Sequence, residues 1–204
     1  MQKDLATILS ENLEGLPFID LLAGLAQTLT TVEPLESGAT ITHKRPVTYD
    51  HNRAEPYSGT ELELIPNNTL YKSMIYFEDF GVTPLAPIQR MQGFSSRLRL
   101  ICWMDRAQIV GDNYAPVASA AITAILDRLA GKNFENKGIF TRLKTEVGGM
   151  PISDAGLFNR YTYNENDRQY LRPPFEFFGI DLVSTFYISP KCLSQINWNN
   201  PAIC

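Results

Sequence analysis

The sequence predicts an α+β fold with a mostly antiparallel sheet, packed by an N-terminal helix and one strong central helix. Apolar residues at helical spacings of three and four occur at the N-terminus and again near residue 120. Most other apolar segments alternate with polar residues or form short runs, as strands do, without the regular strand–helix alternation of a parallel sheet. At 204 residues, the chain is expected to form one domain over residues 1–189, followed by a C-terminal extension over residues 190–204.

Two helices are predicted at the N-terminus. The first covers residues 3–12 and continues its apolar spacing to Leu13. The second is expected to begin at Pro17, a residue favoured in the first helical turn, and to end near Gly24. The apolar positions of the two helices are Leu5, Ile8, Leu9 and Leu13, then Phe18, Leu21, Leu22 and Leu25.

A β-hairpin is expected to follow these helices. Residues 27–33 are rich in Thr and Val and alternate in polarity, and residues 39–44 alternate again after a turn at 34–38. A polar stretch with several prolines then predicts a long loop over residues 46–69.

The middle of the chain predicts two strands and a loop. Residues 70–77 form the first strand, and the acidic stretch 78–81 is its expected exit turn. A second loop is expected at 81–94, because it contains Pro84, Pro87 and Gly93. Residues 95–103 alternate basic and apolar side chains before turning wholly apolar, which is typical of a strand entering a core.

The central helix is predicted after Asp112 and Asn113, which can cap it, with Pro116 in its first turn and Gly131 closing it. Its expected buried stripe consists of Ala118, Ile122, Ile125, Leu126 and Leu129.

Three further strands are predicted in the C-terminal part, at residues 138–147, 157–163 and 177–188. A third long loop is expected at 148–156, and a turn at 172–175.

Composition argues against several classes of protein. The 18 basic and 22 acidic residues give a net charge of −4, without the basic surplus typical of proteins that bind nucleic acid through phosphates. No run of 18 apolar residues predicts a membrane span, and the first residues lack the pattern of a signal peptide. Three widely spaced cysteines, Cys102, Cys192 and Cys204, indicate a reducing compartment rather than a disulfide framework.

No catalytic, cofactor or metal site is predicted. His43 and His51 lack the spacing of zinc ligands, and residues 79–81 spell a kinase magnesium triplet without the other kinase motifs. That triplet is better explained by a turn that needs the backbone freedom of Gly81. One alternative remains open, a small enzyme or ligand-binding protein whose pocket would gather Asp50, His51, Glu78 and Asp79.

The candidate interaction residues are basic and aromatic. Arg90, Arg97, Arg99 and Arg106 could form a basic strip for phosphates or acidic partners, or a solvated face balanced by Glu61, Glu63 and Glu78. Many aromatic residues are expected at or outside the ends of helices and strands, and aromatics with Arg are enriched in interface centres. The residues selected as a candidate interface are Arg97, Arg99, Phe134, Tyr170, Phe175 and Trp198.

The order of elements resembles the phage tail-terminator and neck (head–tail connector) ring proteins. Residues 65–72, 74–81, 157–163 and 170–182 also look like neck ring proteins of crAss-like phages. The resemblance implies a tail-terminator-like sheet packed by helices, assembly of copies into a ring at the head–tail junction, and no catalytic residues. The long 46–69 connection and the Asn-rich tail depart from a minimal terminator domain.

The expected function is therefore that of a structural virion protein. The subunit would form a homo-oligomeric ring, assembled in the host cytoplasm, and would contact neighbouring neck, portal or tail proteins. DNA would pass through the ring without specific binding, and neither a cofactor nor a membrane would be involved. The competing hypotheses are the acidic and histidine pocket described above and DNA binding through the basic strip.

Overall fold

A computed structural model describes residues 1–35, 38–48, 63–65, 71–111, 117–149, 151–153, 155–162 and 171–189. The helices in these ranges are α1 (Gln2–Leu13), α2 (Arg106–Val110), α3 (Val117–Leu129) and a 3-10 helix at Ala155–Phe158. The strands are β1 (Leu21–Pro34), β2 (Thr40–Thr48), β3 (Ser73–Ile88), β4 (Met91–Asp105), β5 (Asn133–Lys137), β6 (Phe140–Val147) and β7 (Phe175–Ile188).

The seven strands form one sheet in the order β2-β1-β3-β4-β7-β6-β5. β1 and β3 run parallel, and the other neighbouring strands run antiparallel. The predicted α+β class with a mostly antiparallel sheet is therefore confirmed.

One face of the sheet is covered by α1 and α3. The predicted first helix is confirmed, and its apolar stripe is buried as expected. In α3, Ile125 and Leu129 are buried as predicted. Val117 and Ala121 complete the buried stripe, although they were not predicted to belong to it. The other predicted positions lie at the sides of the stripe and are half-buried: Ala118, Ile122 and Leu126. The helices pack against inward side chains of the central strands, including Ile75, Phe77, Leu98, Leu100, Phe178, Ile180 and Phe186.

The opposite face carries a smaller apolar cluster. It gathers Tyr76 of β3, Ile101 and Trp103 of β4, and the 155–162 segment through Leu157 and Phe158. The Trp103 and Phe158 rings have centroids 4.5 Å apart. This second cluster covers only part of the face, and the remainder lies open towards β6 and β5.

The predicted second helix at residues 17–25 is wrong. Leu21 and Leu22 instead pair in parallel with Met74 and Ile75 at the start of β1. Gly24 has a φ of +67° in the irregular stretch before the next pair, Leu25 with Phe77. A short apolar run fits a helix or a buried strand equally by spacing, and pairing with the buried β3 decides for the strand.

The predicted loop at 81–94 is also wrong, because β3 and β4 form one long hairpin that turns at Gln89 and Arg90. The expected exit turn at 78–81 is a bulge within β3, where Asp79 Oδ1 accepts a hydrogen bond from the Gly81 N–H at 2.7 Å. Gly81 has a φ of +99°, so the expected need for glycine is confirmed.

The residues that suggested this loop fit an edge strand. The last pair between β1 and β3 is Leu25 with Phe77, so the outer half of β3 has only β4 beside it in the described residues. Prolines are tolerated on such an edge because their missing N–H is needed by no neighbour. Gly93 admits the Tyr187 ring, since a Cβ there would lie 2.8 Å from Tyr187 Cε1.

Three other boundaries differ from expectation. β2 runs to Thr48, so the first part of the predicted 46–69 loop is strand, whereas 49–62 and 66–70 lie outside the described residues. The predicted strand at 157–163 is replaced by the 3-10 helix and a turn, and residue 163 lies outside the description. Residues 133–137, assigned to no element from the sequence, form the edge strand β5.

The expected 148–156 loop is tied to the sheet where it is described. Gly148 N–H donates to the Asp181 carbonyl at 2.7 Å, and Ile152 exchanges hydrogen bonds with Gly179. The predicted caps Asp112 and Asn113, together with Pro116, Cys192, Cys204 and the 190–204 extension, lie outside the described residues.

Gly179→Ala is expected to destabilise the fold by about 1–3 kcal/mol, the range for overpacked cores. A Cβ at this position would lie 2.5 Å from Leu157 Cδ1 and 3.3 Å from Arg99 Cδ, so the buried Leu157 side chain would have to repack against the sheet. Urea unfolding measures the loss. Gly149→Ala is the control, because a Cβ there meets no atom within 4 Å. Equal unfolding midpoints for the two variants would contradict the packing argument.

Candidate functional site

The outer half of the β1–β2 hairpin projects from the sheet as a two-stranded ribbon. This ribbon, residues 30–35 and 38–43, is called the arm below. Val32 and Ile41 are 61% and 39% exposed, and Leu35 at the tip is 40% exposed. Val32 pairs with Thr42 on one face of the arm, and Ile41 pairs with Glu33 on the other. The arm therefore presents apolar side chains in two directions.

The base of the arm is fixed to the subunit. Arg45 makes two hydrogen bonds to the Glu63 carboxylate, at 3.0 and 3.2 Å. The carbonyls of Lys44 and Pro46 accept hydrogen bonds from Thr162 and Leu64, each at 2.8 Å. These contacts set the direction in which the arm leaves the sheet.

A second surface is the uncovered part of the sheet on the side away from the helices. This surface, called the open face below, lies on β4, β7 and β6. Arg97 is opposite Val183, Lys144 is opposite Thr185, and Arg142 is opposite Tyr187. A shallow depression of about 550 Å³ lies along β5, β6 and β7 on this side. Two cations of the open face, Arg97 and Arg142, have no ion-pair partner within the described ranges.

A buried polar network separates the open face from the smaller apolar cluster. Glu78 is 1% exposed, accepts a hydrogen bond from the Tyr161 hydroxyl at 2.5 Å, and lies 3.4 Å from Arg160 Nη1. Burial raises the pKa of the Glu78 carboxyl, and the Tyr161 hydrogen bond and the Arg160 charge oppose that rise. The network joins the 155–162 segment to β3.

Phe80 extends this network towards the open face. Its ring, 48% exposed, lies under two guanidinium groups, with Arg99 Cζ at 4.8 Å and Arg160 Cζ at 5.5 Å from the ring centroid. Arg99 also binds Asp181 through two hydrogen bonds, at 2.6 and 3.1 Å, and these raise its pKa. The Arg99 charge is therefore balanced within the subunit.

The predicted interface residues do not form one exposed surface in the described part of the structure. Arg97 is exposed on the open face, whereas Arg99 is engaged with Asp181. Phe134 is half-buried against the helix-side core and also borders the depression of the open face. Phe175 is 9% exposed at the start of β7, so little of its ring is free for a partner. Tyr170 and Trp198 lie outside the described residues.

The predicted basic strip is not continuous. Arg106 pairs with Glu176 at 3.3 Å, and Arg90 lies in the turn between β3 and β4. Arg97 and Arg99 are the two arginines of this strip that lie within a strand, and of these Arg97 alone is both exposed and unpaired in the described ranges.

The expected position of aromatic residues at or outside element ends holds for Tyr161 and Phe175 but is wrong for Phe80 and Phe94, which lie within β3 and β4. Phe94 stacks on Phe186 with centroids 5.6 Å apart, and Tyr161 and Phe175 are buried. Phe80 lies within β3, and nearly half of the residue is exposed. The exposure of the arm has no signal in the sequence, because it depends on where β1 separates from β3, after Leu25.

The alternative pocket is not assembled in the described residues. Glu78 and Asp79 lie on opposite faces of β3, since Glu78 contacts Tyr161 and Asp79 is within 3.5 Å of Gln2 in α1. Asp50 and His51 lie outside the description. His43 contacts Glu33 across the arm at 3.2 Å, and no three metal-ligating side chains cluster in the part of the chain that is described.

Burial raises the pKa of the Cys102 thiol far above its ordinary value, and the side chain is inaccessible in the helix-side core. None of the helices in the described ranges is long and apolar enough to cross a bilayer. No protein-family model matches the chain, and no curated protein matches its sequence.

Proposed function

We propose that this chain is a structural subunit that assembles with copies of itself into a ring in the head–tail connector or neck of a tailed phage. It acts through protein–protein contacts and performs no catalysis. The observation that carries the proposal is the arm, an apolar ribbon that the subunit holds away from its own core.

The arm favours association for energetic reasons. An isolated two-stranded hairpin is only marginally stable in water, and this one lacks a third strand beyond Leu25 in the described residues. Burying Val32 and Ile41 completely against a partner would contribute about 1.5–3 kcal/mol each. An arm of six paired or nearly paired residues reaches about 20 Å, enough to contact an adjacent subunit.

A ring is the assembly that suits two unlike surfaces. A ring requires head-to-tail contacts between different patches on each copy, and here the arm and the open face are different patches of one subunit. The resemblance of residues 65–72, 74–81, 157–163 and 170–182 to neck ring proteins gives the phage setting. In that setting the ring belongs to the virion and contacts neighbouring neck, portal or tail proteins.

DNA passes through such a ring without specific binding. The net charge of −4 and the pairing of Arg99 and Arg106 with carboxylates leave little continuous positive surface in the described residues.

The purified chain is expected to form a closed oligomer of one stoichiometry as its concentration rises. Sedimentation velocity and light scattering measure the mass, and negative-stain micrographs show whether the particles are rings. No salt-sensitive binding to duplex DNA is expected at low ionic strength. A chain that stays monomeric at high concentration, and forms no ring with its neck partners, would contradict the proposal.

A further inference from the structure

We infer that the open face receives the outer stripe of α1 from the next copy of this chain. This inference rests on the proposed function, because it names the second contact of the same ring.

The open face offers three cations in a defined array. Arg97 on β4 and Arg142 on β6 are exposed and have no ion-pair partner in the described ranges. Lys144 on β6 is exposed and contacts Glu146, a pair that stays solvated and is therefore weak. Glu135 and Glu146 are the carboxylates on this side, while Asp181 is already bound to Arg99.

The outer stripe of α1 offers the complementary charges. Asp4 and Glu11 are exposed on the helix, and Glu14 is exposed directly after its last residue. Thr7 is the exposed residue between the first two, and positions four, seven, eleven and fourteen share one side of a helix. The short Thr7 side chain lets the helix approach a flat surface.

Two cationic groups lie at the start of the same helix. Lys3 is half-buried, and the Met1 amino group contacts Asp4 at 2.9 Å, so the first carboxylate of the stripe is partly balanced within the subunit. Glu11 and Glu14 have no ion-pair partner within the described ranges. The negative charge of the stripe is therefore concentrated at the end of α1.

The spacing of the cations follows from strand geometry. Lys144 lies two strands from Arg97 and two residues further along, because their β7 partners are Thr185 and Val183. With strands about 4.8 Å apart and about 3.3 Å per residue, the two cations stand about 12 Å apart. Arg142 lies two residues beyond Lys144, about 7 Å further.

The spacing of the carboxylates matches this array. Seven residues of helix separate Asp4 from Glu11, about 10 Å, and three residues separate Glu11 from Glu14, about 5 Å. Each interval on the helix is about 2 Å shorter than the corresponding interval between the cations on the sheet. The long side chains of Lys and Arg can span that difference. Helix and sheet face therefore offer opposite charges in the same order and at similar intervals.

The two surfaces lie on opposite sides of one sheet. Because α1 covers one face and the open face is the other, the contact joins unlike patches and can be repeated from copy to copy. Each sheet then becomes covered on both sides, as sheets in larger α/β assemblies are.

Charge reversal on each surface tests the inference. Variant A carries Lys144→Glu with Arg142→Glu, and variant B carries Glu11→Arg with Glu14→Arg. Each alone sets like charges against each other, and we expect at least a tenfold loss of association. Mixed in equal amounts, A and B present opposite charges at every contact, so assembly should return with alternating subunits. Native mass spectrometry would show equal numbers of A and B.

The control is Arg128→Glu with Lys132→Glu, which makes the same change in charge at exposed positions at the end of α3. It should assemble like the unmodified chain. Circular dichroism checks folding, and if variant A fails to fold, Lys144→Gln with Arg142→Gln is measured instead, with a smaller loss expected. Variants A and B that assemble normally, or a mixture that does not recover, would overturn the inference while leaving the ring in place. An unmodified chain that never assembles would overturn both.

Discussion

Shortening the arm is expected to give a folded subunit that no longer assembles. Replacing residues 31–43 with Asn-Gly joins Thr30 to Lys44 through a two-residue hairpin turn, since these residues are paired in the sheet. The exposed side chains of the arm are removed, whereas the bonds of Lys44 and Pro46 at its base are kept. The melting temperature should stay close to that of the unmodified chain, because the deleted residues bury little surface within the subunit. Sedimentation velocity measures the loss of assembly.

Two point substitutions test the same contact more gently. Val32→Thr with Ile41→Thr keeps β-branched residues in the ribbon and removes apolar surface. If both side chains are buried between subunits, the two substitutions remove three apolar carbon groups, and at about 0.8 kcal/mol each the loss of about 2.4 kcal/mol weakens association roughly 50-fold. Ile88→Thr is the control, because Ile88 is 44% exposed on the other hairpin. A shortened arm that assembles as well as the unmodified chain would contradict the role given to the arm.

Elements determined by local pattern were predictable from the sequence. α1 has an uninterrupted apolar stripe, and both strands of the β1–β2 hairpin alternate on either side of a turn. The pattern covers α1 and the outer part of the hairpin, residues 27–33 and 39–44, and needs no distant partner to be interpreted. The central strands β4 and β7 are predicted for the same reason, although β4 extends beyond its predicted bounds at both ends and β7 begins two residues earlier than expected.

Elements determined by distant pairing were not predictable. Local rules place Pro84, Pro87 and Gly93 in a loop, yet all three lie in strands. Gly93 lies against the Tyr187 ring. The two prolines lie on the edge part of β3, where no neighbouring strand needs their N–H. Leu21 and Leu22 satisfy helical spacing, but they pair with β3, more than 50 residues later in the chain. No window of sequence contains such a partner.

The candidate site was predictable in part. Arg97 was selected from its alternation with apolar residues, and that alternation does place it on a sheet face. The same rule selected Arg99, whose charge is balanced by Asp181, 82 residues away. The exposure of Val32 and Ile41 also escaped prediction, because alternation identifies a strand without showing whether anything covers it.

The second large effect is expected at the buried carboxyl of Glu78. Tyr161→Phe removes the hydroxyl that donates to Glu78 and leaves the carboxylate buried with Arg160 as its remaining close partner in the described residues. Losing a hydrogen bond to a charged group costs about 1.5–3 kcal/mol. Urea unfolding at pH 8 should show a loss in this range. The 155–162 segment, which carries Thr162 at the base of the arm, should become more accessible to proteolysis.

This loss should depend on pH with a defined sign. The folded state already holds the Glu78 pKa above its ordinary value, so the folded protein binds that proton more tightly than the unfolded chain does. The stability contributed by proton uptake is therefore present at low pH and is lost as pH rises through the folded pKa. The Tyr161 hydrogen bond lowers that pKa, so Tyr161→Phe raises it further. The destabilisation by Tyr161→Phe should consequently be largest above the raised pKa and shrink as the solution is acidified through it.

The control for this argument is the same substitution in a Glu78→Gln background. Gln cannot ionise in this range, so the effect of Tyr161→Phe should there be independent of pH. Differences between variants measured at each pH cancel the titration of the other carboxylates, which otherwise governs acid unfolding. An effect of Tyr161→Phe that is constant from pH 8 to pH 5 with Glu78 in place would mean that the carboxyl does not change its charge in this range. In that case Glu78 would keep one charge state over the whole range, and the Tyr161 hydroxyl would contribute a hydrogen bond whose strength does not depend on pH.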